Sequence, residues 1–146
     1  MNNLLLISAV GLLGGLAIGI QAPLASLMGQ RLGMIESVFI IHLGGLIAAT
    51  VLLIISKGGN IGQWQNLPWY ALAAGSLGVL LISAQVYIIP SIGVAATITL
   101  IIAGQLIMAA GIDHYGIFEI ESKPFNWERI YGLMIVLLGV WLTVRK

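Results

Sequence analysis

Charge is the scarcest property of this chain. Only 8% of its 146 residues are Asp, Glu, Lys or Arg, whereas 60% are hydrophobic. A typical soluble domain is about 25% charged. A soluble fold of this size buries about two-thirds of its chain's surface and could not hide so much apolar area. We therefore expect an all-α membrane protein that is embedded in a lipid bilayer.

Cysteine is absent, and the few charges nearly cancel. Without cysteine, the chain has no disulfide and no thiolate metal ligand. A net charge of +1 gives no reason to expect nucleic acid as a partner. The histidines and acids show no metal-ligand spacing, no loop is suited to cradle a phosphate, and no nucleophile has a base placed beside it. The sequence therefore predicts no metal, no cofactor and no enzymatic activity.

What the chain has in place of charge is long apolar runs. Five of them are long enough to cross a bilayer, which takes about 20 residues of helix. They cover residues 4–28, 34–56, 68–89, 92–112 and 127–144. The turn at 90–93 is so short that the third and fourth helices are expected to be antiparallel neighbours. We expect one transmembrane domain over residues 1–146.

The first run combines a glycine seam with an amide. Gly11, Gly15 and Gly19 form a small-xxx-small repeat, which lets another helix approach closely in lipid. Gln21 follows beside Pro23, whose missing N–H is expected to kink the helix. Gln21 therefore has two interpretations: it bonds the freed carbonyl or a neighbouring helix, or it presents its amide to a substrate.

Three later polar residues also lie inside apolar runs. His42 is roughly 12 Å along the second helix, where it would either relay protons, since its unperturbed pKa is near 6.5, or bond a neighbouring helix. Gln85 shares a face with small residues spaced seven apart, so we expect it to face protein. Gln105 lies about two turns inside the fourth run. We expect Gln21, His42, Gln85 and Gln105 to line a substrate cavity.

The acidic residues Glu36 and Asp113 lie at the ends of runs. Glu36 is near the start of the second run, and Asp113, followed by His114, comes directly after the fourth. Asp113 is expected to end its helix and to pair with Lys123 or Arg129. Glu36 and Asp113 are also the candidates for coupling or gating.

The basic residues show no bias between the two membrane faces. With five spans the termini lie on opposite faces, and each face carries three Lys or Arg. These are Lys57, Lys123 and Arg129 on the N-terminal face, and Arg31, Arg145 and Lys146 on the other. Because an excess of Lys and Arg on the cytoplasmic side sets orientation, we expect insertion in both directions, unless other factors fix one orientation. Opposite copies, or a copy and a paralogous partner, would pair as an antiparallel dimer, a ten-helix inverted-repeat bundle.

Several segments together point to a known family. They read GLLGGLAIGIQ in the first run, PWY and IGVAATIT at the openings of the third and fourth, GQL with the downstream Asp113, and RIYGLMIVLLGVWL in the last. In these segments the chain resembles the YdcZ-like family of small five-helix proteins in the drug/metabolite transporter superfamily. The resemblance implies a multi-pass protein of the inner or plasma membrane that moves small metabolites or drugs by alternating access.

One feature of related transporters is missing. The small multidrug resistance proteins export cations with the help of a carboxylate in the middle of the first helix, whereas residues 4–28 here contain no Asp or Glu. A buried carboxylate is the economical way to couple a cation to a proton. Its absence favours a neutral or zwitterionic substrate, or coupling through His42, Glu36 or Asp113. A secondary transporter is the leading interpretation, and a passive channel or a non-transporting partner subunit of another membrane protein are the alternatives.

Overall fold

A computed structural model describes residues 2–124 and 126–145. Lys146, counted above among the basic residues of the C-terminal face, lies outside the described residues, as do Met1 and Phe125. Six α-helices follow one another in the described chain: α1 Asn2–Leu32, α2 Met34–Ile55, α3 Trp69–Leu72, α4 Ala74–Ile92, α5 Val94–Tyr115 and α6 Trp127–Val144. Short 3-10 segments occupy Ile61–Asn66 and Ile117–Glu119.

Among the described residues, five helical segments are long and apolar enough to cross a membrane. They are Asn3–Leu32, Met34–Ile55, Trp69–Ile92, Val94–Tyr115 and Trp127–Val144. The third combines α3 and α4 across a break at Ala73. Most of the large apolar side chains on these helices are exposed, because helices that are hydrophobic on all sides face lipid tails or other helices. The prediction of an all-α membrane protein with five spans is confirmed.

A single residue, Gly33, connects α1 to α2. Its backbone has φ 114° and ψ 158°, a conformation that is essentially restricted to glycine. The Gly33 N–H donates to the Gly29 carbonyl (3.0 Å), and the Gly33 carbonyl accepts from the Ser37 N–H (3.1 Å). Hydrogen bonding thus passes from one helix to the next without a loop. The Glu36 carboxylate also lies where a Cβ on Gly33 would be placed.

The chain divides into two compact units, Met1–Pro90 and Ser91–Lys146. In the first unit, α1, α2 and α4 pack together. In the second unit, α5 packs against α6. A cavity lies among α1, α2 and α4 of the first unit, and a cleft lies between α5 and α6 of the second.

The helices of the first unit meet in layers that are one helical turn apart. Nearest the Gly33 connection, Gly29 of α1 and Val86 of α4 are so close that a Cβ on Gly29 would overlap the valine. The next layer, one helical turn further from Gly33, contains Ala25, Val38 and Ile82. Together with Val86 these residues form a buried cluster. This order places α2 antiparallel to both α1 and α4.

α4 and α5 each continue past the C-terminal end of the apolar run that predicted them. α4 continues through Pro90 to Ile92 and stops at Gly93, whose φ is 84°. Pro90 has no N–H to donate to the Val86 carbonyl, so α4 gives up one helical hydrogen bond there but does not end. α5 continues past Asp113 to Tyr115, since Gly116 adopts a left-handed φ of 65° and donates its N–H to the Ile112 carbonyl, as a C-terminal glycine cap does. A glycine, and not the proline or the acid, ends each helix.

Replacing Gly33 tests whether this connection depends on glycine. Gly33→Ala should lower the free energy of unfolding by about 1–3 kcal/mol, because alanine is strained at this φ and ψ and its Cβ would displace the Glu36 carboxylate. Thermal unfolding of the purified protein in lipid nanodiscs measures the change. The matched control is Gly44→Ala, within α2, where a Cβ would meet nothing within 4 Å. Equal stability of Gly33→Ala and Gly44→Ala would show that the connection does not depend on glycine.

Candidate functional site

The structure brings two of the predicted site residues, Gln21 and His42, to one cavity. The cavity lies among α1, α2 and α4 of the first unit and has a volume of about 450 Å³, within the range of small-molecule sites, about 300–1,000 Å³. Gly78 of α4 also lines it. The other lining residues are small or apolar: Ile41, Gly45, Leu46, Ala49, Leu81 and Ile82.

The packing layers explain why these residues meet. Gln21, His42 and Gly78 each lie four residues, about one helical turn, beyond Ala25, Val38 and Ile82 of the buried cluster. They therefore form the next layer away from the Gly33 connection. Because Gly78 has no side chain, α4 leaves space beside the imidazole, where a Cβ on Gly78 would lie 3.0 Å from His42 Nε2.

The His42 ring is held by its own helix. Its Nδ1 lies 2.7 Å from the Val38 carbonyl oxygen, four residues earlier, whereas the sequence suggested a proton relay or a bond to a neighbouring helix. The ring is half-buried. No Asp or Glu is among the described residues that line the cavity, so a cargo in it would meet amide and imidazole groups.

Gln85 lies elsewhere on α4 and is only 1% exposed, so it faces protein as its spacing predicts. It is not among the residues that line the cavity of the first unit. Its Oε1 atom is buried and has no hydrogen-bond partner among the described residues. A buried acceptor without a partner costs about 1–3 kcal/mol, which makes the Gln85 amide a candidate cost to the fold.

The other predicted residues of the fourth run belong to the second unit. Gln105 is exposed in the middle of α5. Asp113, in the last turn of α5, accepts from Arg129 Nη1 at 3.3 Å, and its backbone carbonyl accepts from the Lys123 N–H at 2.7 Å. The predicted ion pair of Asp113 is confirmed, with Arg129 as the side-chain partner. Partly exposed pairs of this kind contribute about 0–1 kcal/mol.

The Asp113–Arg129 pair lies at one end of a cleft between α5 and α6, where the connecting segment joins the two helices. The cleft has a volume of about 350 Å³. Its remaining lining is small or apolar: Leu106, Ala109, Ala110, Gly132, Leu133 and Val136. The pair is thus the charged group of an otherwise apolar cleft.

Glu36 and the glycine seam lie on exposed helix surfaces. Glu36 is exposed in the first turn of α2, where a negative charge interacts favourably with the helix dipole. Gly11, Gly15 and Gly19 lie along α1, and a Cβ on any of them would meet nothing within 4 Å in the described chain. Within the first unit, the described residues therefore leave space beside the seam.

Comparisons with known proteins identify the family of the chain. A family model described as "Putative inner membrane exporter, YdcZ" matches residues 6–142. The chain belongs to the YdcZ family. A curated relative, inner membrane protein YdcZ of Escherichia coli (strain K12), is 29% identical over 83 residues, which are 56% of this chain and 54% of the relative. The match thus spans about half of the relative's length. No solved structure matches the chain.

Family membership confirms the resemblance to YdcZ-like proteins that the sequence motifs indicated. Together with the five apolar helices, it makes the protein a multi-pass protein of the inner membrane. The family description as an exporter supports a role in transport across the membrane.

Two groups beside the cavity, Gly78 and the Val38 carbonyl, could not be identified as parts of the site from the sequence. Gly78 stands out only as a small residue in an apolar run, and nothing in the run indicates that it lies against His42. The Val38 carbonyl is a backbone group, so no residue type signals it. The four-residue spacing from Val38 to His42 is the one signal that could have found this bond.

Replacing Gln85 tests whether its buried amide is a cost to the fold. Gln85→Met keeps a similar length and removes the unpartnered Oε1 atom, so it should raise the free energy of unfolding by about 1–3 kcal/mol. Thermal unfolding in nanodiscs is the measurement, with the exposed Gln105→Met as the matched control. A lower stability of Gln85→Met would show that the amide makes a stabilising bond and would contradict this assignment.

Proposed function

We propose that the protein is a secondary transporter of a small metabolite or drug-like molecule, working by alternating access in an antiparallel dimer. The observation that carries this proposal is the cavity of about 450 Å³ in the first unit, which places Gln21 and His42 inside apolar spans. A few convergent polar groups in an apolar pocket are typical of small-molecule sites. The exporter family supports the same class of function.

The proposed cargo is neutral or zwitterionic. A permanent cation in an apolar span would need a compensating carboxylate, and the described lining of this cavity contains none. Asp113 is paired with Arg129, and Glu36 lies at the start of α2. We also propose that Glu36, Asp113 or His42 takes part in coupling or gating. Gln85 and Gln105 are proposed as further cargo contacts in the assembled dimer.

Two exposed features favour a second helix bundle as the partner. The seam of Gly11, Gly15 and Gly19 leaves room for close approach by another helix, which is how helices associate in lipid. Gln105 is exposed in mid-span, and an amide that faces hydrocarbon without a hydrogen bond costs roughly 2–7 kcal/mol. A partner that covers both would remove that cost.

The proposed partner is an oppositely inserted copy of this chain or a paralogue. The three-against-three distribution of Lys and Arg between the two faces gives no preferred orientation. Two copies inserted in opposite directions would generate the inverted repeat that many transporters build within one chain.

The absence of native cysteine makes alternating access directly testable. Ala49→Cys places one thiol in the cavity lining. If the cavity opens to each side in turn, a membrane-impermeant maleimide outside proteoliposomes should label every molecule. The sealed vesicles should hold an ion gradient during the labelling, because a transporter does not form an open pore.

The control is Ala48→Cys, the exposed neighbour in α2 that does not line the cavity. It should label poorly, because a thiol in hydrocarbon does not ionise. Ala49→Cys labelling that stops short of completion until the vesicles are permeabilised would contradict alternating access. Complete labelling with a collapsed ion gradient would indicate a passive channel instead.

The glycine seam gives a matched pair of variants for the dimer. Gly15→Leu fills the seam and should raise the dimer dissociation constant at least about tenfold, equivalent to about 1.4 kcal/mol. Gly14→Leu adds the same side chain at a position where a Cβ also meets nothing within 4 Å, but about 100° away around the helix. Subunit counting by photobleaching in liposomes measures both. Equal effects, or none from Gly15→Leu, would contradict a dimer through this seam.

A further inference from the structure

The hydrogen bond of His42 fixes which of its ring nitrogens carries a proton. Nδ1 lies 2.7 Å from the Val38 carbonyl oxygen. A carbonyl oxygen only accepts hydrogen bonds, so Nδ1 must be the donor and carry the hydrogen. In a neutral imidazole the other nitrogen is then an acceptor. The backbone of α2 therefore sets Nε2 as a lone-pair acceptor.

That acceptor lies beside Gly78 of α4. A Cβ on Gly78 would be only 3.0 Å from Nε2, closer than side-chain atoms ordinarily pack. Any larger residue at this position would cover the nitrogen or push the ring aside. Because both residues line the same cavity, glycine at position 78 leaves Nε2 accessible to a molecule in the cavity.

Gln21 supplies a complementary group to the same cavity. A carboxamide has two N–H donors and a carbonyl acceptor, whereas the neutral His42 ring has only the acceptor Nε2 left to offer. A molecule with one N–H or O–H group and one acceptor would satisfy both side chains. A molecule without a donor would leave Nε2 unpaired, which is costly in an apolar site.

We propose that His42 Nε2 accepts a hydrogen bond from the cargo, that Gln21 binds a second polar group of the same molecule, and that Gly78 determines specificity by keeping Nε2 accessible. The cargo class is then a small uncharged or zwitterionic molecule with an N–H or O–H donor. Fully alkylated amides and quaternary ammonium compounds are excluded. This proposal names the substrate class of the cavity in the proposed transporter and rests on that function only for the step of transport.

The ring state can be measured directly, because the chain contains two histidines. In protein labelled with ¹⁵N-histidine and reconstituted in bilayers, the His114→Gln variant leaves His42 as the only signal. Solid-state NMR of the neutral ring should show Nδ1 protonated and Nε2 bare. A protonated Nε2 in the neutral ring would overturn the proposal.

Two amides then test the donor requirement. Benzamide carries N–H donors and a carbonyl, whereas N,N-dimethylbenzamide keeps the carbonyl and the ring and has no donor. Benzamide should shift the Nε2 resonance in a saturable way, and N,N-dimethylbenzamide should bind at least about tenfold more weakly. Equal shifts from the two amides, or no saturable shift from benzamide, would overturn the proposal.

Variants of α4 test the role of Gly78. Gly78→Ala should abolish the benzamide shift, whereas Gly75→Ala, where a Cβ meets nothing within 4 Å, should retain it. A retained shift in Gly78→Ala would overturn the specificity role. If Gly78→Ala does not fold, the proposal is tested by comparing benzamide with N,N-dimethylbenzamide in the protein that keeps Gly78.

The NMR result is independent of transport. Saturable benzamide binding together with incomplete labelling of Ala49→Cys would refute the transporter and leave the binding site standing. Complete labelling without selective benzamide binding would refute the site and leave the transporter standing.

Discussion

The loop-free connection at Gly33 is the constraint on which the first unit depends. With one residue between α1 and α2, the helices have almost no freedom to slide, so each turn of α1 lies beside a fixed turn of α2. Ala25 thereby meets Val38, and one turn further Gln21 and His42 reach the same cavity. A longer loop would permit a shift by a turn, which would move the imidazole away from the amide.

Close approach of α4 completes the arrangement through two glycines. Gly29 lets Val86 pack against α1, and Gly78 leaves space beside the His42 ring. Gly29 allows a tight contact between α1 and α4, whereas Gly78 leaves space for a cavity that polar groups line. Glycines thus serve both close packing and access to the His42 ring among α1, α2 and α4.

The two classes of polar group in the chain have different relations to the membrane. Charged side chains such as Asp113 and Arg129 pair with each other near the helix ends. The uncharged amides lie inside the spans, where Gln85 is buried without a partner for Oε1 and Gln105 is exposed. Since a polar group in hydrocarbon needs a partner, the exposed Gln105 amide makes the isolated chain incomplete. A second copy and a bound cargo are the proposed partners.

Much of the fold follows from the sequence, because spans are specified by length and apolarity alone. The five spans are of this kind. The seven-residue spacing of small residues predicts the burial of Gln85, and the sequence predicts an ion pair of Asp113 with Lys123 or Arg129, of which Arg129 is the partner. The contacts between helices are harder to predict, since helices that are apolar on all sides carry no periodic signal for which face is buried. This is why the sequence does not indicate that Gly78 faces His42.

Helix ends and hydrogen-bond partners are the other features that the sequence left open. The proline at 90 and the acid at 113 suggested ends, but Gly93 and Gly116, with positive φ, are the residues that stop α4 and α5. The partner of His42 is a backbone carbonyl, and every residue has one. Only the ring's position in the folded helix selects Val38 among them.

The central claim is that two oppositely inserted copies form the working unit, and the orientation of the C-terminus tests it most directly. Fusions to a fluorescent protein that matures only in the cytoplasm and to a phosphatase that is active only outside it should both give signal. Lys57→Gln should raise the fluorescence and Arg31→Gln the phosphatase activity, because each removes a positive charge from one face. Signal from only one of the two fusions, unchanged by either variant, would contradict the antiparallel homodimer.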